Sequence, residues 1–261
     1  MSRAGGVMLL VFMLAGCAEQ PITPTLQPPA PTTPQTADAR TRADLHTQLG
    51  AGYYELRNFA VALEELNEAL RSEPNYGPAH NMLGLVYMEL REDALAEQSF
   101  DRALRINALD SDAHNNYGWF LCQRKRYDEA LKHFMAAVKN PLYQTPDKSY
   151  VNAGVCMRER GDDAAALQFF ERALSLQPAQ PQALFNLADL SFKRGQVVAS
   201  KDYLVRMSRI GAPFGPEALW LALRIERSLG DREAEASYGL QLRKNFPDSR
   251  ETQALLNRQY E

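Results

Sequence analysis

Cysteine and histidine are scarce in this sequence, with three and four copies among 261 residues. Those counts are too low for a disulfide-dense scaffold or for a protein built around several zinc ions. A net charge of −3 provides no basic field that would favour a nucleic-acid partner. The main apolar run, Val7 to Leu14, is much shorter than the roughly 20 residues of a membrane-spanning helix. The composition therefore excludes a polytopic membrane protein and predicts no nucleic-acid binding.

Catalytic signatures are also missing. The sequence contains no glycine-rich nucleotide loop, no HExxH zinc motif, no GxSxG nucleophile motif and no set of paired carboxylates. His46, His80 and His114 recur every 34 residues. Helices in contact lie about 8–10 Å apart, whereas a zinc–nitrogen bond needs about 2 Å. We therefore expect these histidines to pack between helices, and we predict no enzyme activity, metal, cofactor or small-molecule substrate.

The first 16 residues have the parts of an export signal, with Arg3 followed by the apolar run and small residues. The sequence Leu14-Ala15-Gly16-Cys17 resembles a lipobox, the bacterial lipoprotein signal. That resemblance implies removal of residues 1–16 and acylation of Cys17, palmitate included. Ala18 stands where an aspartate would favour the inner membrane, so the same resemblance predicts an anchor at the periplasmic face of the outer membrane. The alternative is an ordinary signal peptide with a chance cysteine.

Residues 17–42 form the next segment, in which six prolines fall between positions 21 and 34 among threonine, glutamine and alanine. Proline lacks a backbone donor, and the segment has few apolar groups from which to build a core. We predict a disordered, partly extended tether between lipid and domain. A proline-based interaction motif is the alternative.

Small residues recur along the rest of the chain at intervals of 34 or 36. They are Gly50, Gly84, Gly118, Gly154, Ala188 and Ala222. A period of 34 is typical of tetratricopeptide repeats, each of which is a pair of antiparallel helices. We predict an all-α, right-handed superhelical solenoid, because one helix pair cannot bury its apolar face alone. The six repeats are predicted at 43–76, 77–110, 111–144, 147–180, 181–214 and 215–248, followed by a capping helix over 249–261.

Cys122 and Cys156 remain once Cys17 is acylated. They fall in the first helices of repeats 3 and 4, and such helices lie side by side. Because export would place both thiols where disulfides persist, we predict a bond between them. The alternative is a pair of buried free thiols that pack as small apolar groups.

First helices line the concave groove of such arrays, so their exposed positions are candidates for binding a partner protein. The asparagines are Asn116, Asn152 and Asn186, and the apolar candidates are Trp119, Val155, Phe185 and Phe192. Amides can satisfy the backbone of a bound peptide, and aromatic rings can act as anchors. The alternative is that the asparagines bond within the scaffold. Lysines and arginines are too scattered in this groove for a clamp on an acidic chain terminus, so an extended strand or helix is expected instead.

Four segments carry a resemblance to a known family. They are residues 115–122 (NNYGWFLC), 126–130 (RYDEA), 140–143 (NPLY) and 152–156 (NAGVC). With the lipobox, the tether and the repeats, they resemble the type IV pilus pilotin lipoproteins of the PilF/PilW family. The resemblance implies a protein that binds the outer-membrane secretin of the pilus, promotes its localisation and multimerisation, and so supports twitching motility; the cysteine pair also looks like that of some members. The alternative is a repeat lipoprotein that acts as a scaffold for peptidoglycan hydrolases or for outer-membrane protein assembly.

Overall fold

The computed structural model describes residues 34–260, and that range contains thirteen helices and no strand. The predicted signal peptide, Cys17 and most of the predicted tether lie outside the described residues. The helices are α1 (Pro34–Glu55), α2 (Phe59–Ser72), α3 (Gly77–Glu89), α4 (Asp93–Ile106), α5 (Ser111–Gln123), α6 (Tyr127–Ala137), α7 (Pro146–Arg160), α8 (Asp163–Leu176), α9 (Pro181–Lys193), α10 (Val197–Arg209), α11 (Pro216–Leu229), α12 (Arg232–Asn245) and α13 (Arg250–Leu256). None of these helices is both long and apolar enough to cross a membrane.

The first twelve helices form six consecutive pairs, and the members of each pair pack against each other. Second helices begin at capped positions in several repeats. The carboxylates of Asp162 and Asp231, for example, accept hydrogen bonds from the backbone N–H three residues later, at 2.9 and 3.0 Å. The predicted all-α stack of helix pairs is confirmed.

In repeats 2–4 the recurring glycine lies beneath a large aromatic ring. Phe100, Phe134 and Phe170 are fully buried on second helices and face glycines on the first helices of the same repeats. A Cβ added to Gly84 would lie 2.5 Å from a ring carbon of Phe100, which no real Cβ tolerates. In these three repeats only glycine lets the two helices approach with the ring between them, so the spacing of glycine and phenylalanine specifies the helix pair.

The stack begins earlier than the sequence predicts, because α1 starts at Pro34 and residues 34–42 are helical rather than part of the tether. A proline at the first position of a helix loses no hydrogen bond, and residues 35–42 contain no further proline. An ion pair one turn apart joins Arg42 to Asp38, and Ala43 is buried at the start of the core.

The stack ends in a shorter cap than the sequence predicts, since α13 stops at Leu256. Its buried Thr252 donates a hydrogen bond to the carbonyl of Phe246 at 2.7 Å. The chain then turns, and the ring of Tyr260 stacks on that of Trp220 with centroids 5.8 Å apart. The cap is therefore completed by an aromatic contact as well as by helix.

Candidate protein-binding groove

First helices of consecutive repeats contact one another, as α1 does with α3, α3 with α5, α5 with α7 and α9 with α11. This row of first helices is the surface on which the sequence places its candidate binding residues. Each helix contributes the same positions at a 34-residue step, so side chains of neighbouring repeats meet across the row.

Asparagine side chains link three repeats along this row. Asn116 Nδ2 donates to Asn81 Oδ1 at 3.2 Å, and Asn152 Nδ2 donates to Asn115 Oδ1 at 3.0 Å. A weaker contact of 3.4 Å joins Asn115 Nδ2 to Asn116 Oδ1. We call these four residues the asparagine ladder. Bonding within the scaffold, the alternative to peptide binding, is thus what the structure contains, although each amide has a second N–H.

Asn186 was expected to face the groove, but the residue is only 6% exposed. Its Nδ2 donates to the carbonyl of Gln182 at 2.7 Å, and its Oδ1 accepts from the Arg158 guanidinium, which also pairs with Asp189. The amide is therefore committed to the fold and has no free face for a partner.

The apolar candidates do not meet in one site. Trp119 is half-buried and lines a cavity of about 830 Å³, whereas Phe185 lines a separate cavity of about 270 Å³ between repeats 5 and 6. Phe192 lies under the Arg224 guanidinium, 4.7 Å from its ring centroid, and Val155 is half-buried against the core. Of this set, Trp119 lines the larger of these two cavities.

The cavity beside Trp119 contains residues that sequence reasoning missed. We call it the Trp119 cavity; its lining includes Arg57, Glu89, Arg91, Asp93, Trp119 and Arg124. Three consecutive repeats supply these side chains, and the three arginines follow the C-terminal ends of first helices. They belong to the turns that follow the first helices, so a pattern of helix positions does not reveal them.

Arginine and carboxylate side chains pair across repeats at this cavity. Arg124 holds both carboxylate oxygens of Asp93 at 2.8 and 2.6 Å, and this contact lowers the pKa of Asp93 below its ordinary value. Arg57 lies 3.4 Å from Glu89. The pairs fix the turns of repeats 1–3 relative to one another and keep charge at the rim of the groove.

The two structural cysteines lie on the same row, one on α5 and one on α7. Their sulfur atoms are bonded in the structure, with Cα atoms 5.7 Å apart, a usual distance for a disulfide. Both side chains are fully buried. Oxidation of Cys122 and Cys156 in the exported protein stays a prediction, and the fold provides the distance that it needs.

His46 and His114 each contact the second helix of their own repeat, whereas His80 Nε2 lies 3.1 Å from the carbonyl of Pro74. His46 Nδ1 is 2.7 Å from a carboxylate oxygen of Glu65, and His114 Nδ1 is 3.0 Å from Nδ1 of His133. Burial, together with the neighbouring His114, lowers the pKa of His133 to about 4. No group of three or more potential metal ligands is assembled within residues 34–260.

Comparison with known proteins identifies the family. Tetratricopeptide-repeat models match residues 47–111 and 82–197. Over 251 residues the chain is 33% identical to the type IV pilus assembly protein PilF of Pseudomonas aeruginosa, covering 96% of each chain. The chain belongs to the PilF family.

Solved structures of PilF-family proteins have the same fold. That of Pseudomonas aeruginosa PilF matches with a TM-score of 0.76 and 31% identity, over 85% of this chain and 99% of that one. PilW, a widely conserved type IV pilus biogenesis factor, matches with a TM-score of 0.72 and 31% identity, over 82% and 98%. The predicted tetratricopeptide solenoid and the predicted resemblance are both confirmed.

Proposed function

We propose that this protein acts in type IV pilus biogenesis by binding the pilus secretin at the outer membrane and promoting its localisation and multimerisation. The observation that carries this proposal is the likeness to PilF, which runs along 96% of both chains rather than over a few repeats. A likeness confined to the repeats would indicate only a shared scaffold.

The activity we propose is binding and not catalysis. An acyl group on Cys17 would hold the protein at the periplasmic face of the outer membrane, and residues 18–33 would let the repeats search for secretin protomers. Confinement to one membrane raises the effective concentration of the captured protomers and so favours their assembly. Capture also covers apolar surface that would otherwise aggregate before the ring closes.

Contacts that join neighbouring first helices support this function. The asparagine ladder joins repeats 2, 3 and 4, and the Cys122–Cys156 contact joins α5 to α7. A pre-ordered surface loses less conformational entropy when it binds, which leaves more of the contact energy as affinity. Trp119, half-buried in its cavity on this row, is the anchor that we propose for the partner.

The test is the amount of secretin multimer in a deletion strain that carries variants of this gene. Wild type should restore multimers that resist detergent on a gel, and the Trp119→Ala, Phe185→Ala double variant should lose most of them. Trp220→Ala is the matched control, because its ring stacks on Tyr260 at the far end of the array. Normal multimers with both groove residues changed, in a protein that remains folded, would overturn the groove proposal.

The deletion strain also separates the proposed function from its alternative. If multimers form normally without the protein while cell-wall turnover or the outer-membrane protein content changes, a scaffold for peptidoglycan hydrolases or outer-membrane protein assembly replaces the pilotin. Cys17→Ser, which cannot be acylated, tests the anchor: secretin should then stay out of the outer-membrane fraction, and unchanged localisation would contradict the anchoring step.

A further inference from the structure

The turn between the two helices of each repeat contains one residue with positive φ. In repeats 4–6 that residue is glycine: Gly161, Gly195 and Gly230, with φ of 90°, 74° and 81°. In repeats 1–3 it is a cation: Arg57, Arg91 and Lys125, with φ of 58°, 62° and 61°. The same turn thus changes from glycine to a positively charged side chain in one half of the array.

The left-handed conformation disfavours these three side chains, because a Cβ crowds the following carbonyl there and glycine has none. Packing does not require a side chain at such a turn, since a Cβ added at Gly161 or Gly195 would meet nothing within 4 Å. Arg57, Arg91 and Lys125 are themselves exposed. Strained residues of this kind concentrate at functional sites.

Two of the strained arginines, Arg57 and Arg91, line the Trp119 cavity together with Arg124. The carboxylates on its wall are already engaged, as Glu89 lies 3.4 Å from Arg57 and Asp93 is held by Arg124. Among the ion pairs of residues 38–260, none includes Arg91. The cavity lining therefore has one surplus positive charge, on an exposed guanidinium in a cavity that Trp119 also lines.

We propose that the Trp119 cavity binds an acidic side chain within an extended segment of the partner protein, with the carboxylate paired to Arg91 and a neighbouring apolar side chain resting on Trp119. A guanidinium presents two parallel N–H groups that match a carboxylate, and a half-buried indole favours an apolar contact. The inference rests on the proposed function, because the segment is taken to belong to the secretin.

The dimensions of the cavity fit an extended segment better than a free chain end. Repeats 1, 2 and 3 all contribute to its lining, and neighbouring helices are spaced about 8–10 Å apart. Three neighbouring helices therefore span about 16–20 Å, and a strand rising about 3.3 Å per residue needs roughly five or six residues to cross that span. A volume of about 830 Å³ is sufficient for several of their side chains.

The experiment measures binding of secretin peptides to the full chain purified in detergent. Twelve-residue peptides that tile the periplasmic part of the cognate secretin are fluorescently labelled and titrated by anisotropy, alongside the full-length secretin. The tight binders should contain aspartate or glutamate next to an apolar residue. Replacing that acid with its amide should weaken binding by about tenfold or more, as for a lost charge-assisted hydrogen bond.

Arg91→Gly is the main variant, and Lys125→Gly is its matched control. Both make the same backbone change in neighbouring turns, but Lys125 does not line the Trp119 cavity. Arg91→Gly should weaken the acidic peptide about tenfold without lowering the melting temperature, since glycine suits the turn. Lys125→Gly should leave the peptide affinity within about twofold. If Arg91→Gly fails to fold, Arg91→Asn, which tolerates positive φ, replaces it.

The possible results distinguish a failure of the Arg91 assignment from a failure of the proposed function. Equal losses in the two variants, binding that survives Arg91→Gly, or tight binders without an acid overturn the Arg91 assignment while the proposed function stands. Full-length secretin that binds when no tiled peptide does overturns the extended segment. Absence of binding by full-length secretin contradicts the proposed function itself.

Discussion

Reducing the bond between Cys122 and Cys156 should weaken the centre of the array. The two cysteines are 34 residues apart, and the chain-entropy model gives about 3.8 kcal/mol of stabilisation for a loop of that length. For a folded body of about this size, each kcal/mol shifts the melting temperature by about 2–4 °C, so reduction should lower it by about 10 °C. Because repeats are stabilised mainly by their neighbours, the loss should appear first at the junction of repeats 3 and 4.

The assay is thermal unfolding by circular dichroism with and without a phosphine reductant, paired with mass spectrometry of the non-reduced periplasmic protein. The Cys122→Ala, Cys156→Ala double variant is the control; it should melt near the reduced wild type and show no response to reductant. Alanine is the better replacement here, because both sites are fully buried and a serine hydroxyl would need a partner. Two alkylatable thiols at these positions, or an unchanged melting temperature on reduction, would refute the reasoning.

Two further predictions concern the helix pairs. Gly84→Ala should lower the free energy of unfolding in denaturant titrations by about 1–3 kcal/mol, because the new Cβ would lie 2.5 Å from the Phe100 ring. Gly52→Ala, which has open space around it, should instead raise that free energy by about 0.5–1 kcal/mol, and equal effects of the two changes would contradict the packing account. Acid should destabilise repeat 3, because the pKa of His133 in the folded protein is lowered to about 4. The neutral imidazole is therefore favoured by the fold, and the stability present above pH 6.5 is lost as the pH falls from 6.5 to 4. The loss should reach up to about 3 kcal/mol. Denaturation at several pH values checks this, and His133→Gln beside His114 should flatten the dependence; an unchanged slope would count against it.

The helix pairs were predictable because their determinants are local in sequence and repeated. A glycine and, sixteen residues later, a phenylalanine specify one close helix contact, as Gly84 and Phe100 do. The start of α1 was not predictable in the same way, because Pro34 belongs equally well to a proline-rich tether and to the first position of a helix. Only residues further along the helix, such as the buried Ala43 and Thr47, show that it has a core to pack against.

The row of first helices was predictable from the repeat, but the contacts of its side chains were not. Whether Asn116 faces a ligand or its neighbour Asn81 depends on the rotation between successive repeats, which no 34-residue pattern records. The burial of Asn186 depends in the same way on Arg158, 28 residues away in the chain. Arg57 and Arg91 could have been noticed in the sequence, because a cation stands there at the position that glycine holds in repeats 4–6. The importance of that change is clear only once the backbone at this position is known to have positive φ.

The central claim is that this protein acts by binding secretin, and direct binding between the purified full chain and purified cognate secretin protomers tests it most directly. Titration calorimetry in detergent should give a saturable complex at micromolar concentrations, weakened by Trp119→Ala and unchanged by Trp220→Ala. Absence of any complex between the folded proteins, or one indifferent to Trp119, would contradict the account.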